Sequence, residues 1–228
     1  MSKRVLVILT SADRYYKPRI KRETGWYSVE LSHPWNKMEG RVELEVASPK
    51  GGVAPLDPYS LGSAYDAESQ HFLKNKRSIW ENTQPIRNYL GRAKEFAAVF
   101  YAGGQGPMMD LVGDGDSIKL INEFYAAGNI VAAVCHGPIA FVHAETPEGR
   151  PLVEGRRVTG YTNAEETRDA TDKYLSFLLE TEFVALGAKF IAARPSSTNV
   201  VVDGQLITGQ NPESAGAVGE AICEALGV

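Results

Sequence analysis

The chain has 228 residues, and 24 Lys+Arg against 28 Asp+Glu leave a net charge of −4. With 43% apolar and 23% charged residues it reads as a soluble globular protein, long enough to bury one core without disulfide or metal support. The mixed charge excludes nucleic acid as a partner, since no Lys/Arg cluster supplies a phosphate-neutralising patch. Two cysteines, Cys135 and Cys223, are too few for a disulfide framework and suit a reducing, cytoplasmic setting.

The N-terminal run M-S-K-R-V-L-V-I-L-T is too short to span a membrane and lacks a signal-peptide cleavage site; it predicts a buried strand over 4–10. Further short apolar runs predict strands over 42–47, 97–101, 130–134, 158–161, 189–192, 199–202 and 205–208. The runs at 97–100 and 130–134 do not alternate, as expected of strands covered on both faces. Asp203-Gly204 predicts a two-residue hairpin of the I′ type. Between the strands, Ile118, Ile121, Phe124 and Tyr125 mark one face of a helix over 117–127, stopped by Gly128-Asn129. Asn211-Pro212-Glu213 opens a last helix, with Val218, Ile222, Ala225 and Leu226 at helical spacing.

This alternation predicts an α/β three-layer sandwich, flavodoxin-like, with a mostly parallel central sheet and helices on both faces. One domain over 1–228 is expected, with no repeat or linker. A Gly-, Pro-, Asp- and Ser-rich excursion at 51–84 is expected to cap the sheet's active end or border a partner subunit.

The most informative stretch is Ala133-Val134-Cys135-His136-Gly137-Pro138. A buried strand ends at Cys135, and Pro138 suits the first turn of a helix. This is the layout of a nucleophile elbow, with sulfur where hydrolases carry serine. A helix N-terminus there lowers a thiol's pKa. The competing reading is a small buried hydrophobe at a strand end. Cys223, among Ala and Ile of the last helix, reads as packing.

The A-V-C-H-G-P run resembles the elbow of the ThiJ/PfpI superfamily, the glutamine-amidotransferase-like α/β proteins, and within it the glyoxalase III and heat-shock-chaperone subgroup. Four further segments occur in the subgroup's order: G-W-Y-S-V-E-L-S-H-P from Gly25, A-S-P-K-G-G from Ala47, Y-A-G-G-Q-G from Tyr101, and R-P-L at Arg150 through V-T-G-Y-T-N-A-E-E ending at Glu166. The resemblance implies that Glu30 hydrogen-bonds the Cys135 sulfur and moves protons. It implies that Glu166 orients His136, and that the Gly104 and His136 amides form an oxyanion hole. The implied reaction is glutathione-independent conversion of methylglyoxal to lactate, with no organic cofactor or metal, in a homodimer that also has stress-chaperone relatives. Relatives commonly carry histidine where Gln105 stands, and an amide cannot titrate there.

Alternatives stay open at this level. Glu30 also reads as a surface residue of an amphipathic helix, or with His33 as an E-x-x-H metal pair ended by Pro34. Glu165 exchanges with Glu166 under a shift of one residue, and both also read as first-turn acids of a helix capped by Asn163. The G-G-Q-G run fails the dinucleotide fingerprint because Met109 stands where a third glycine is needed. A cysteine peptidase or amidase could use the same Cys-His-Glu set, and a non-enzymatic chaperone or thiol redox sensor is the rival from another class. An amidotransferase needs a later His-x-Glu than His143-Ala144-Glu145, which follows the cysteine too closely.

Overall fold

The computed structural model describes residues 3–16, 20, 22–62 and 66–228. In chain order these form β1 (Arg4–Ile8), α1 (Ser28–Met38), β2 (Glu43–Ser48), α2 (Ala67–Asn75), α3 (Ser78–Glu81), β3 (Gln84–Pro85), β4 (Ala98–Tyr101), α4 (Gly115–Ala126) and β5 (Ile130–Val134). Then come β6 (Arg157–Val158), α5 (Asn163–Asp169), α6 (Leu179–Ala185), β7 (Lys189–Phe190), β8 (Val200–Asp203), β9 (Leu206–Gly209) and α7 (Ala215–Leu226). The central sheet runs β3-β2-β1-β4-β5-β9-β8 and is parallel except where β8 turns back on β9.

The non-alternating strands are apolar on both faces because both faces are covered. Val99, Tyr101, Val131 and Ala133 join a core layer with Leu120, Ile121 and Phe124 of α4. Ala98, Phe100, Ala132 and Val134 join the opposite layer with Trp35 and Met38 of α1 and Val218 and Ile222 of α7. Each such side chain taken fully out of water contributes about 1.5–3 kcal/mol. The predicted α/β sandwich with a mostly parallel sheet is therefore the observed architecture. Cys223 is buried in α7 with its sulfur 3.7 Å from the Lys37 carbonyl, a packing residue as read from the sequence.

Several local expectations give way to specific contacts. The predicted strand over 158–161 stops at Val158, and β6 pairs only with β7 in a separate two-stranded sheet. Beyond it the Thr159 N–H turns to Thr208 Oγ1 (2.9 Å) and the Tyr161 N–H to the Cys135 carbonyl (2.8 Å), so the chain enters the site instead of a ladder. The hairpin loop is Gly204-Gln205, not Asp203-Gly204: Asp203 pairs with Leu206, and Gly204 alone takes positive φ (60°), the II′ pattern. Helix α1 runs through Pro34 instead of ending there. α7 packs closely on it there: a Cβ at Gly219 would sit 2.7 Å from Pro34 Cα, so the α1–α7 approach needs glycine.

The excursion at 51–84, of which residues 63–65 lie outside the described residues, lies mainly over α1. Trp80 packs on Trp26 (ring centroids 5.4 Å) and Phe72 (5.8 Å), and Phe72 packs on Trp35 (5.9 Å). The Trp26 indole N–H donates to the Ala54 carbonyl (3.0 Å). Its leading part turns inward, and Asp57 and Tyr59 reach a cavity at the carboxyl edge of the sheet.

Candidate active site

Cys135 follows β5 directly, at the edge where parallel sheets bind ligands. Its φ of 59° is a left-handed conformation that costs a non-glycine residue about 1–2 kcal/mol. Two backbone bonds hold it there: its N–H donates to the Gly209 carbonyl (2.9 Å), and its carbonyl accepts from Tyr161. The elbow is thus formed. The segment after it is a 3₁₀ turn, Gly137–Phe141, not the expected α-helix, so no helix N-terminus lowers the thiol's pKa. Gly137 lets this turn pass under β4, since a Cβ there would meet the Tyr101 carbonyl at 2.5 Å.

His136 reaches back to the cysteine, Nδ1 lying 3.4 Å from Sγ. Its Nε2 lies 2.6 Å from Glu166 Oε1, and the other Glu166 oxygen accepts from the Thr171 hydroxyl. Burial pushes the Glu166 carboxyl up, but His136 and Thr171 outweigh it and hold the group below its ordinary range. An ionised Glu166 only accepts, so Nε2 carries the proton and the Nδ1 lone pair faces the sulfur. The Tyr161 ring packs on the imidazole at 4.6 Å, and its hydroxyl donates to Asp169.

The neighbouring Glu165 does something else. Thr162, not Asn163, is the N-cap of α5, and Thr162 and Glu165 form a capping box. The Glu165 carboxylate also accepts from the Ser196 N–H (3.0 Å), Asn211 Nδ2 (2.8 Å) and Gln210 Nε2 (3.1 Å). Successive helical residues point in different directions, which separates a fold-holding Glu165 from an imidazole-facing Glu166. Glu165→Ala is expected to cost about 2–4 kcal/mol in urea unfolding, because it strands several buried donors at once.

Glu30 of α1 is fully buried, 0% exposed, and therefore not a surface residue. Its carboxyl is wedged against the turn after β4, so that a Cβ at Gly103 would lie 2.1 Å from Oε2 and 2.8 Å from Cys135 Cβ. Neither oxygen completes a hydrogen bond of good geometry, although the Cys135 thiol and the Gly104 N–H lie beside it. Burial raises its pKa well above the ordinary carboxylate range, which favours the neutral carboxyl. Burial also pushes the Cys135 thiol up, with Glu30 and then Glu165 acting in the same direction and the Gly104 N–H against it. The expectation of a thiol with a lowered pKa is corrected accordingly: burial favours the protonated sulfur, which a neighbouring base would activate.

The carbonyl of Gly103 accepts from the Tyr27 N–H (3.2 Å), and the segment beyond the turn is tied to the end of β1 by Asp110, which accepts from Thr10 Oγ1, the Ser11 N–H and the Leu111 N–H, all at 2.7 Å. Gly104 takes φ 93°, and a Cβ there would meet the Gly25 carbonyl at 2.4 Å. Gln105 lines the cavity beside it and is 9% exposed. His33 turns away from Glu30 to Asp66 (2.8 Å), so the E-x-x-H pair does not converge.

Cys135, His136, Glu30 and Gly104 share the wall of one cavity of about 390 Å³, with Glu166 one bond behind His136. Arg22, Asp57, Tyr161 and Thr171 also line it and were not singled out from the sequence. Tyr161 lies in the quoted V-T-G-Y segment. The others sit in polar loops whose composition carries no signal.

The family model described as DJ-1/PfpI family matches residues 23–225. The chain belongs to the DJ-1/PfpI family. Among DJ-1/PfpI relatives it is 36% identical to the glutathione-independent glyoxalase HSP31 of Saccharomyces cerevisiae, over 93% of both chains. It is 30% identical to glyoxalase 3 of Candida albicans, over 97% of this chain and 98% of that one. The Rapid Encystment Protein 24 KDa of Francisella tularensis superposes with a TM-score of 0.91 at 30% identity, covering 98% of this chain and 99% of that one. The ThiJ/PfpI resemblance read from the elbow and its four companion segments is borne out.

Proposed function

We propose that the chain is a cysteine-dependent, glutathione-independent glyoxalase III-type enzyme converting methylglyoxal to lactate. Relatives named as glutathione-independent glyoxalases support the reading along nearly the whole chain. The observation that carries it is a fully buried carboxyl wedged beside the thiol, whose other neighbour is the His136 imidazole with Nδ1 3.4 Å from Sγ. Such a site delivers one proton and collects another without changing net charge.

His136 Nδ1 takes the thiol proton as Sγ attacks the aldehyde carbon, while Glu30 protonates the oxygen and the Gly104 and His136 amides stabilise its developing charge. The product is a hemithioacetal. Glu30, now a carboxylate, removes the proton on the carbon bonded to sulfur to give an enediol and returns it to the adjacent carbon. The hydroxyl proton moves between the two oxygens, so the step is a balanced isomerisation to the lactoyl thioester. The Glu30 carboxylate then deprotonates water for attack on the thioester carbonyl, and His136 returns the thiol proton to the departing sulfur, which releases the lactate product and restores both groups to their starting states. Glu166 holds the imidazole throughout, and no organic cofactor or metal takes part. Gln105 adds no titrating group.

Incubation with methylglyoxal in the absence of glutathione, followed by mass spectrometry, is expected to yield lactate. Peptide or amide cleavage without dicarbonyl turnover would replace this reading by a hydrolase. Among the described residues no helix is long and apolar enough to cross a membrane. The proposal places the enzyme in the cytoplasm as a homodimer, and sedimentation velocity tests the second point. A holdase activity of the stress-chaperone type would persist in an aggregation assay on the Cys135→Ala protein, since holding clients needs no nucleophile.

A further inference from the structure

The cavity of about 390 Å³ falls in the range of about 300–1,000 Å³ that takes drug-sized ligands, far more room than methylglyoxal fills. Its charged wall groups are nearly all engaged. Glu30 faces the sulfur. Asp57 accepts from the Tyr59 N–H (2.9 Å) and Thr24 Oγ1 (3.1 Å), and Asp169 accepts from Tyr161 and from Arg168 Nε (2.6 Å). Arg22 differs from them in being held by tyrosines, with a side-chain hydrogen bond to Tyr174 and no carboxylate partner among the described residues.

The Arg22 guanidinium lies 3.6 Å over the Tyr59 ring and 4.8 Å from that of Tyr174, a sandwich that fixes the plane of the group. Its Nε is buried without a hydrogen-bond partner, and among the described residues no carboxylate lies within ion-pair distance. An orphaned buried N–H is costly, and a guanidinium stays charged at every relevant pH. Asp57 shares the wall, but burial pushes its carboxyl up and its two oxygens are turned to Thr24 and Tyr59. A held, planar cation in the same cavity as the nucleophile, without a carboxylate partner among the described residues, is a receptor for a carboxylate, which it can bind through two parallel N–H groups.

We infer that Arg22 is a specificity-determining residue that selects, among α-oxoaldehydes, those bearing a carboxylate remote from the two reacting carbons. The inference rests on the glyoxalase reading of the same site. Methylglyoxal itself leaves the Arg22 end of the cavity unused.

Two measurements test it. Initial rates with para-carboxyphenylglyoxal and phenylglyoxal are expected to favour the charged substrate about tenfold in kcat/KM in the wild type, with the ratio falling to near one in Arg22→Met. Calorimetry with the unreactive analogues para-(hydroxyacetyl)benzoate and hydroxyacetophenone is expected to show the same tenfold preference, in both wild type and Cys135→Ser, and its loss in Arg22→Met. Equal binding of the two analogues by the wild type overturns the inference, as does a preference that survives Arg22→Met. A binding preference without any aldehyde turnover overturns the glyoxalase reading and leaves the Arg22 anion site standing.

Discussion

Cys135→Ala is expected to lower kcat/KM for methylglyoxal by at least about a thousandfold, because no other group in the cavity can form the hemithioacetal. Stability is expected to stay within about 1 kcal/mol of the wild type, since alanine keeps the backbone bonds to Gly209 and Tyr161 and removes only one buried atom. Cys135→Gly supplies the control for the elbow. It is equally inactive, but glycine adopts φ near 59° without the Cβ penalty and is expected to exceed Cys135→Ala in unfolding free energy by about 1 kcal/mol. Steady-state kinetics with lactate quantified by mass spectrometry, and urea unfolding of the three proteins, check both parts. Turnover retained by Cys135→Ala would falsify the mechanism.

Glu30→Gln is expected to reduce kcat by about a hundredfold to ten-thousandfold, the usual range for removing a positioned proton donor and acceptor. The substitution also exposes the electrostatic cost of the site. Glu30 has a folded pKa raised by burial, so the unfolded chain gives up this proton first as the pH rises. Its favourable contribution is complete below the unfolded carboxylate pKa of about 4.3 and is lost as the pH climbs toward the folded value. The wild type should therefore lose more stability than Glu30→Gln between about pH 4 and pH 8. A wild-type decline no steeper than that of the variant means that Glu30 is not held neutral, and the proton-shuttling role falls with it.

The central strands are legible because Val99, Val131 and their neighbours form short apolar runs on both faces, as a doubly covered strand requires. The elbow was readable because a buried run breaks into His-Gly-Pro. Other features have no one-dimensional trace. β3 is two residues, Gln84–Pro85, held by a parallel pairing with the end of β2. Whether Glu165 or Glu166 faces the imidazole depends on where α5 begins, and helix ends are set by caps that shift by a residue. The direction of the thiol's pKa runs against the sequence expectation because it depends on three-dimensional burial and on a carboxyl group contributed from residue 30, while the helix expected to oppose them is a 3₁₀ turn. Arg22 escaped notice because its aromatic clamp comes from Tyr59 and Tyr174, far apart along the chain.

The wedge between Glu30 and Gly103 ties together the histories of two distant positions. While the carboxyl remains, even one methyl group at 103 collides with it. Removing that methyl's carboxylate neighbour does not free the site entirely, because Val134's carbonyl lies 2.5 Å away, but it withdraws the nearest obstacle. Across diverging descendants of this sequence, a side chain at 103 should consequently surface only in lineages whose residue 30 has already shrunk, and those lineages should have abandoned the chemistry as well.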